Sequence, residues 1–217
     1  MVCVILFVSY MNTYMNTYME PFNLNTQTFI LLGDSILKNN AYVSNGNSVD
    51  ALIKERTNGK TICLAVDHSK ISDVFSQVEK IPDNLNTNNT IVFLSAGGND
   101  ILTHYVDQEN DLTNTNVLGT FFVSYETLIK SIQDKMPNSR IVLLDIYYPN
   151  STKYNYYHSI ISEWNNMIYS YAKNSENNIY SVLKISNILT KPDDFAFGIE
   201  PSSIGSHKIV ETILNNY

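Results

Sequence analysis

The first candidate nucleophile in this sequence is a serine that follows a short apolar run. Ser35 ends the segment Gly33-Asp34-Ser35, directly after the unbroken apolar residues 29–32. A buried strand that ends in a tight turn presents such a serine to a crevice, where a base and oxyanion donors would have to activate it. Asp34 and Ser35 are also common as helix caps and turn residues. On this tripeptide alone, the structural role is favoured.

Two further polar segments follow apolar runs in the same way. Residues 67–69 (Asp-His-Ser) come after the run 61–66, and residues 97–100 (Gly-Gly-Asn-Asp) come shortly after the run 91–94. In a parallel sheet, the carboxyl ends of the strands share one edge, and ligands bind beyond it. Three polar clusters that are distant in sequence are therefore expected to meet around Ser35. This convergence favours the catalytic interpretation over the structural one.

Strand and helix patterns alternate five times along the chain. This alternation predicts parallel pairing through helical crossovers, and therefore a three-layer α/β/α sandwich around a five-stranded parallel sheet. Short apolar runs predict strands at 29–32, 61–66, 91–94, 141–146 and 179–185. Apolar residues at helical spacing predict helices at 48–56, 71–81, 118–136, 154–172 and 205–214, with polar loops at 104–116 and 192–203.

Composition limits the class of protein. The 217 residues, 44% of them hydrophobic and 16% charged, indicate one globular domain with a substantial core. A net charge of -7 argues against general nucleic-acid binding, and no apolar run is long enough for a membrane span. Cys3 and Cys63 are too few for a disulfide framework. The histidine spacing predicts no metal site, and the absence of a glycine-rich phosphate loop predicts no nucleotide cofactor.

The amino terminus has two interpretations. Val2 to Val8 is apolar but short, and a duplicated MNTY and then Met19 follow it. Residues 1–18 are predicted to be a dispensable extension ahead of a domain at 19–217, or else a weak signal segment. The first interpretation favours a cytoplasmic location, and the second would allow secretion.

Three motifs together resemble those of the SGNH (GDSL-type) hydrolases. GDSIL at 33–37 follows the first strand, GGND at 97–100 follows the third, and Pro-Ser-x-x-Gly at 201–205 precedes the last helix. The resemblance covers the chain from about Phe29 onward. It implies a flavodoxin-like α/β/α fold and the activity of an esterase, lipase or carbohydrate deacylase.

The resemblance also implies roles for individual residues. Ser35 takes the place of the family's nucleophile, and Asn99 that of its side-chain oxyanion donor. The other donors in the family are the backbone amides of the nucleophile and of a glycine after the second strand. An asparagine amide can donate toward developing negative charge, so the assignment of Asn99 is chemically sound.

The chain departs from the family pattern at two places. His68 stands where the family carries the second-block glycine. The family's last block is Asp-x-x-His followed by proline, but here the residue before Pro201 is Glu200, and Phe197 occupies the aspartate position. The usual general base is therefore missing from its place.

Three alternatives for the base remain open. His68 can act as base with Glu200 orienting its ring, because a triad is defined by geometry and roles rather than by sequence order. Glu200 can act directly on Ser35 if burial raises the pKa of its carboxyl group. His207 is the third candidate, in the terminal helix about two turns past Glu200, and His104 is a minor fourth.

The motifs together predict a serine hydrolase that cleaves an O-acyl ester of a carbohydrate, a lipid or a small molecule. The predicted catalytic residues are Ser35, Asn99, His68 and Glu200. The missing Asp-x-x-His motivates an alternative, a catalytically silent protein that uses the same cleft to bind a glycan or a partner. The expected partner is a small-molecule or carbohydrate ester, and the sequence does not fix an oligomeric state.

Overall fold

Five parallel strands form the central sheet of the computed structural model, which describes residues 27–105 and 115–217. Their order is β2-β1-β3-β4-β5, and every neighbouring pair is parallel. This is the strand order of flavodoxin-like doubly wound sheets, so the predicted fold class is confirmed. The strands are β1 (Thr28–Gly33), β2 (Thr61–Cys63), β3 (Thr90–Ser95), β4 (Arg140–Leu144) and β5 (Ser181–Leu183).

Helices cover both faces of the sheet. Side chains alternate along a strand, so Ile30 and Leu32 of β1 join the core on one face, and Phe29 and Leu31 join the core on the other. Helices α2 to α5 pack on the first face, and α1, α6 and α7 pack on the second. The helices are α1 (Val49–Arg56), α2 (Ile71–Glu79), α3 (Gly98–Tyr105), α4 (Thr115–Lys135), α5 (His158–Lys173), α6 (Ile185–Ile188) and α7 (Ser203–Asn216).

Several predicted boundaries are wrong by a few residues. Strand β2 ends at Cys63 instead of residue 66, because the amides of Leu64 and Ala65 both bond to the carbonyl of Leu31 and the regular ladder stops there. Strand β5 is likewise shorter than 179–185. The helix expected at 154–172 begins only at His158, after a 3₁₀ segment at Thr152–Tyr157.

Two segments that were predicted as loops contain regular structure. The region 192–203 includes a 3₁₀ turn (Pro192–Asp194) and a small antiparallel hairpin of β6 (Phe195–Ala196) and β7 (Glu200–Pro201). The region 104–116 starts inside α3 and ends inside α4. Its remaining residues and the predicted extension 1–18 lie outside the described residues. Within 27–105 and 115–217, no helix combines the length and apolar content needed to cross a bilayer.

Gly33, at the carboxyl end of β1, lies against Ser95 of the neighbouring strand β3. Its φ is +129°, and a Cβ there would lie 1.8 Å from the carbonyl oxygen of Ser95 on β3. We expect Gly33→Ala to lower the free energy of unfolding by ~2–4 kcal/mol, because the backbone must shift and adopt a conformation that alanine disfavours. Chemical denaturation measures this change.

Gly119, in the solvent-facing part of α4, is the matched control. A Cβ at Gly119 would have nothing within 4 Å. Gly119→Ala is expected to raise the free energy of unfolding by up to ~1 kcal/mol through helix propensity. Equal stabilities for the two variants would contradict the close approach at Gly33.

Candidate active site

Hydrogen bonds to Asp34 stabilise the turn after β1 that carries Ser35. The Asp34 carbonyl accepts the amide of Leu37 at 3.2 Å, and its Oδ1 accepts the Ile36 amide at 3.1 Å and the Ser95 hydroxyl at 2.8 Å. Ser35 itself is 8% exposed. Backbone and side-chain bonds from one aspartate therefore fix the turn, and the nucleophile candidate lies in the wall of a cavity rather than at the open surface.

The Asp34 carboxyl group is buried beneath this turn. Burial raises its pKa to about 7, although the hydrogen bonds from Ser95 and Ile36 act in the opposite direction; the charge of Glu200 adds to the rise. Asp34 therefore carries its negative charge mainly above pH 7. As the pH falls through this range, a growing share of Asp34 becomes the neutral acid.

Glu200 reaches Ser35 from the hairpin near the carboxyl terminus. Burial raises the pKa of the Glu200 carboxyl above its usual value, and a hydrogen bond with the Ser35 side chain opposes that rise. Glu200 Oε2 is buried and has no hydrogen-bond partner within the described part of the chain. Glu200 and Ser35 therefore line the same cavity.

The hairpin that carries Glu200 turns through left-handed residues. Phe197 and Gly198 have φ of +54° and +76°, and the Ile199 amide donates to the Ala196 carbonyl at 3.2 Å. Two successive positive φ angles are the pattern of a type I′ turn, which matches the twist of a hairpin. Phe197, which the sequence motif predicts at the family's aspartate position, is 78% exposed.

Asn99 lies in the first turn of α3, beside Ser35. The sequence predicted no helix here, but α3 starts at Gly98, so Asn99 is presented from a helix. Its Nδ2 donates to the Ser69 carbonyl at 3.0 Å. A side-chain amide has two N–H groups, so the second N–H remains for a ligand. Both Asn99 and Ser35 line the same cavity.

This cavity, of about 50 Å³, is mostly apolar. Its polar lining consists of Asp34, Ser35, Asn99 and Glu200. The rest of the lining is mostly apolar. A few polar groups in such a lining suit a reaction at the polar end of an apolar molecule. The remaining lining residues are Ile36, Gly98, Ile101, Leu102, Ile146, Tyr147, Pro149, Tyr157, Ile161 and Ile199.

His68 lies near this site but points elsewhere. Its φ is +61°, so a non-glycine residue does adopt left-handed backbone at the family's glycine position. Its Nε2 is 3.3 Å from the Tyr42 hydroxyl and 3.6 Å from Asp67 Oδ2, and its side chain is 79% exposed. The charge of His68 acts to lower the pKa of Glu200. The predicted pairing of His68 with Ser35 is therefore replaced by contacts with Tyr42 and Asp67.

Comparison with known proteins identifies the family. The family model of the GDSL-like lipase/acylhydrolase family matches residues 31–205, most of the chain. The chain belongs to this family. Membership supports the predicted class of activity, hydrolysis of ester bonds, and nothing in these comparisons favours the alternative of a silent binding module. No curated protein sequence matches the chain significantly.

Solved structures of GDSL-type proteins share the fold at low sequence identity. A lipolytic G-D-S-L protein from Veillonella parvula is 19% identical, with a TM-score of 0.64 over 88% of this chain and 98% of its own. The lipase Lip_vut3 from a goat rumen metagenome is 15% identical, with a TM-score of 0.68 over 88% and 97%. Phospholipase A1 from Streptomyces albidoflavus is 17% identical, with a TM-score of 0.61 over 88% and 98%.

The other histidines of this GDSL-family chain do not line the Ser35 cavity. His104 packs its ring edge-on against Tyr105 and Phe121, at centroid distances of 4.7 and 5.7 Å. His158 has Nε2 3.4 Å from the Pro149 carbonyl. His207 lies on α7 and is half-buried there. Among the histidines and carboxylates considered as base, Glu200 is the one that contacts Ser35.

Asn39 is a site residue that the sequence did not reveal. It is fully buried, and its Nδ2 donates to the Pro201 carbonyl at 2.9 Å and to Ser206 Oγ at 2.6 Å. Its Oδ1 accepts the Val49 amide at 2.9 Å. One side chain thus ties the loop after Ser35 to the segment after Glu200. In an asparagine-rich chain, no local pattern distinguishes this asparagine from the others.

Proposed function

We propose that this chain is a serine esterase in which Ser35 is the nucleophile and Glu200 replaces histidine as the general base. The observation that carries the proposal is that Ser35 and the half-buried Glu200 line the same mostly apolar cavity, where the Ser35 side chain acts to lower the pKa of the Glu200 carboxyl. A carboxylate whose pKa is raised by burial is a stronger base than an exposed glutamate, which suits proton abstraction near neutral pH.

The reaction follows two acyl-transfer steps. Ser35 Oγ attacks the ester carbonyl carbon, and its proton passes to Glu200. The tetrahedral intermediate collapses, the bond to the alcohol oxygen breaks, and Glu200 returns the proton to the leaving alcohol. A water molecule then attacks the acyl-serine ester with Glu200 again as base. The carboxylic acid leaves, and Ser35 regains its proton.

Three donors support the negative charge that develops on the carbonyl oxygen. They are the free N–H of the Asn99 amide and the backbone amides of Ser35 and His68. The bond from Asn99 to the Ser69 carbonyl fixes the side chain before substrate binds. His68 holds φ of +61°, a left-handed conformation that glycine adopts readily. The His68 side chain has no catalytic role in this scheme.

The apolar cavity supports an acyl group as the buried part of the substrate. Its walls come from Ile101 and Leu102 of α3 and from Tyr157 and Ile161 at the start of α5. Apolar walls favour a hydrocarbon chain, because its burial removes apolar surface from water. The substrate is therefore proposed to be an O-acyl ester of a carbohydrate, a lipid or a small molecule.

Labelling with a fluorophosphonate probe tests the proposal. We expect one equivalent of probe to attach to Ser35 in the folded protein, because the activated oxygen displaces fluoride from phosphorus. The labelling rate should rise with pH through the raised pKa of Glu200, since only the ionised carboxylate accepts the proton. Mass spectrometry of peptides locates the label.

Protein unfolded in urea is the control, because it keeps every serine and loses the site. Labelling should disappear on unfolding and should be slowed by an excess of p-nitrophenyl butyrate. A folded protein whose Ser35 stays unlabelled would contradict the proposed function.

A further inference from the structure

Phe197 occupies a position that neither packing nor backbone preference explains. Its φ of +54° is an outlier for a bulky residue, whereas glycine or asparagine adopts this conformation readily. Its side chain is 78% exposed, so little apolar surface is buried in return. Strained residues that gain no packing are concentrated at functional sites.

The ring of Phe197 is held close to the proposed catalytic pair. It meets the ring of Tyr42 edge-to-face, with a centroid distance of 6.4 Å. The Tyr42 hydroxyl donates to Asp67 Oδ2 at 2.7 Å, which fixes the tyrosine ring. Glu200 is near enough for its charge to contribute to a raised pKa of Tyr42. Phe197 and Tyr42 thus form an aromatic pair beside the Glu200 carboxylate.

The hairpin turn has an inner and an outer side. Ile199 lines the apolar cavity that contains Ser35. Phe197, two residues earlier, lies in solvent and makes its ring contact with Tyr42. An ester has two parts that leave its carbonyl carbon in different directions. With the acyl part in the cavity, the alcohol part is left for the outer side of the hairpin, the side on which Phe197 lies.

We propose that Phe197, backed by Tyr42, is a specificity-determining residue that contacts the alcohol part of the ester and favours aromatic or bulky apolar alcohols. This inference rests on the proposed esterase function. Aromatic side chains gain from edge-to-face and stacked contacts with other rings, beyond the area they bury. The carboxylates of Asp67 and Glu200 lie on the same side as the aromatic pair. They repel an alcohol part that carries a negative charge, so the preferred leaving group is uncharged or cationic.

Two butyrate esters that differ only in the alcohol test the inference. The probes are 1-naphthyl butyrate and ethyl butyrate, both used as dissolved monomers. Phe197→Asn removes the ring but keeps a residue that tolerates left-handed backbone. We expect kcat/KM for the naphthyl ester to fall about 2- to 12-fold, the range of an aromatic pair, while that for the ethyl ester stays unchanged. The melting temperature should rise, because the strain at Phe197 is relieved.

Two further variants serve as controls. Phe197→Tyr keeps a ring at this position and should retain the preference for the naphthyl ester. Val123→Ala truncates an apolar residue on α4 that is 61% exposed and does not line the cavity. It should leave the ratio of the two kcat/KM values unchanged.

Several results would overturn the inference. A fall of equal size for both esters would show that Phe197 acts on the position of Glu200. Unchanged kcat/KM values for both esters would show that no contact with the alcohol exists. A loss seen only with aggregated lipid substrates would assign Phe197 to a lipid surface instead. If the unaltered protein turned over no ester, the proposed function itself would fail and this inference with it.

Discussion

Ser35→Ala is expected to abolish turnover of short p-nitrophenyl esters, with kcat falling by at least ~10⁴-fold. Loss of a serine nucleophile removes the covalent pathway entirely, and what remains comes from binding and oxyanion stabilisation alone. Release of p-nitrophenol at saturating substrate measures kcat. Because Ser35 is small and only its oxygen is removed, the melting temperature should change little.

Ser124→Ala is the matched control for this experiment. Ser124 is an exposed serine on α4, and its hydroxyl bonds only to the Thr120 carbonyl of its own helix. Its kcat should equal that of the unaltered protein. Activity retained in Ser35→Ala, with Ser124→Ala equally active, would assign the chemistry to a different group.

Glu200→Gln is expected to lower kcat by ~10²–10⁴-fold, the typical contribution of a positioned general base. The amide has nearly the same shape and still bonds to Ser35, but it cannot take a proton. The unaltered enzyme should lose activity as pH falls through the raised pKa of Glu200, since protonation removes the base. The residual activity of Glu200→Gln should lack this acidic limb. A pH profile of kcat/KM checks both statements.

Two comparisons make the Glu200 result specific. Glu211→Gln changes an exposed glutamate on α7 and should leave kcat unaltered. His68→Ala removes the imidazole that contacts Tyr42 and Asp67. If His68→Ala lowers kcat as far as Glu200→Gln does, the redistributed triad with His68 as base is the better description.

The sheet was predictable from sequence because its strands are buried on both faces. Residues 29–32 and 91–94 are continuous apolar runs, and they become the centre of β1 and β3, where every one of these side chains is at most 1% exposed. Polar residues immediately after these runs then had to lie on one edge of the sheet. For this reason, the meeting of Ser35 with Asn99 at one cavity could be expected before any coordinates.

Which candidate base faces the Ser35 cavity could not be predicted, because it depends on side-chain direction. His68 and Glu200 are equally compatible with the sheet edge, but Glu200 turns inward to Ser35 and His68 turns outward to Tyr42. The hairpin that decides this has strands of two residues each, too short for a periodic signal. The phenylalanine at a left-handed turn position also makes the hairpin hard to predict from sequence, since turn prediction relies on glycine or asparagine there.

The link from Asn39 to the Pro201 carbonyl spans 162 positions of the chain. A contact between such distant residues forms late, because the intervening chain must first be ordered. During synthesis, Ser35 leaves the ribosome long before its partner segment exists. In the proposed mechanism, hydrolytic competence therefore requires that the segment that carries Glu200 has packed against the rest of the fold. The onset of ester turnover during refolding would consequently record the final docking of the carboxyl-terminal hairpin.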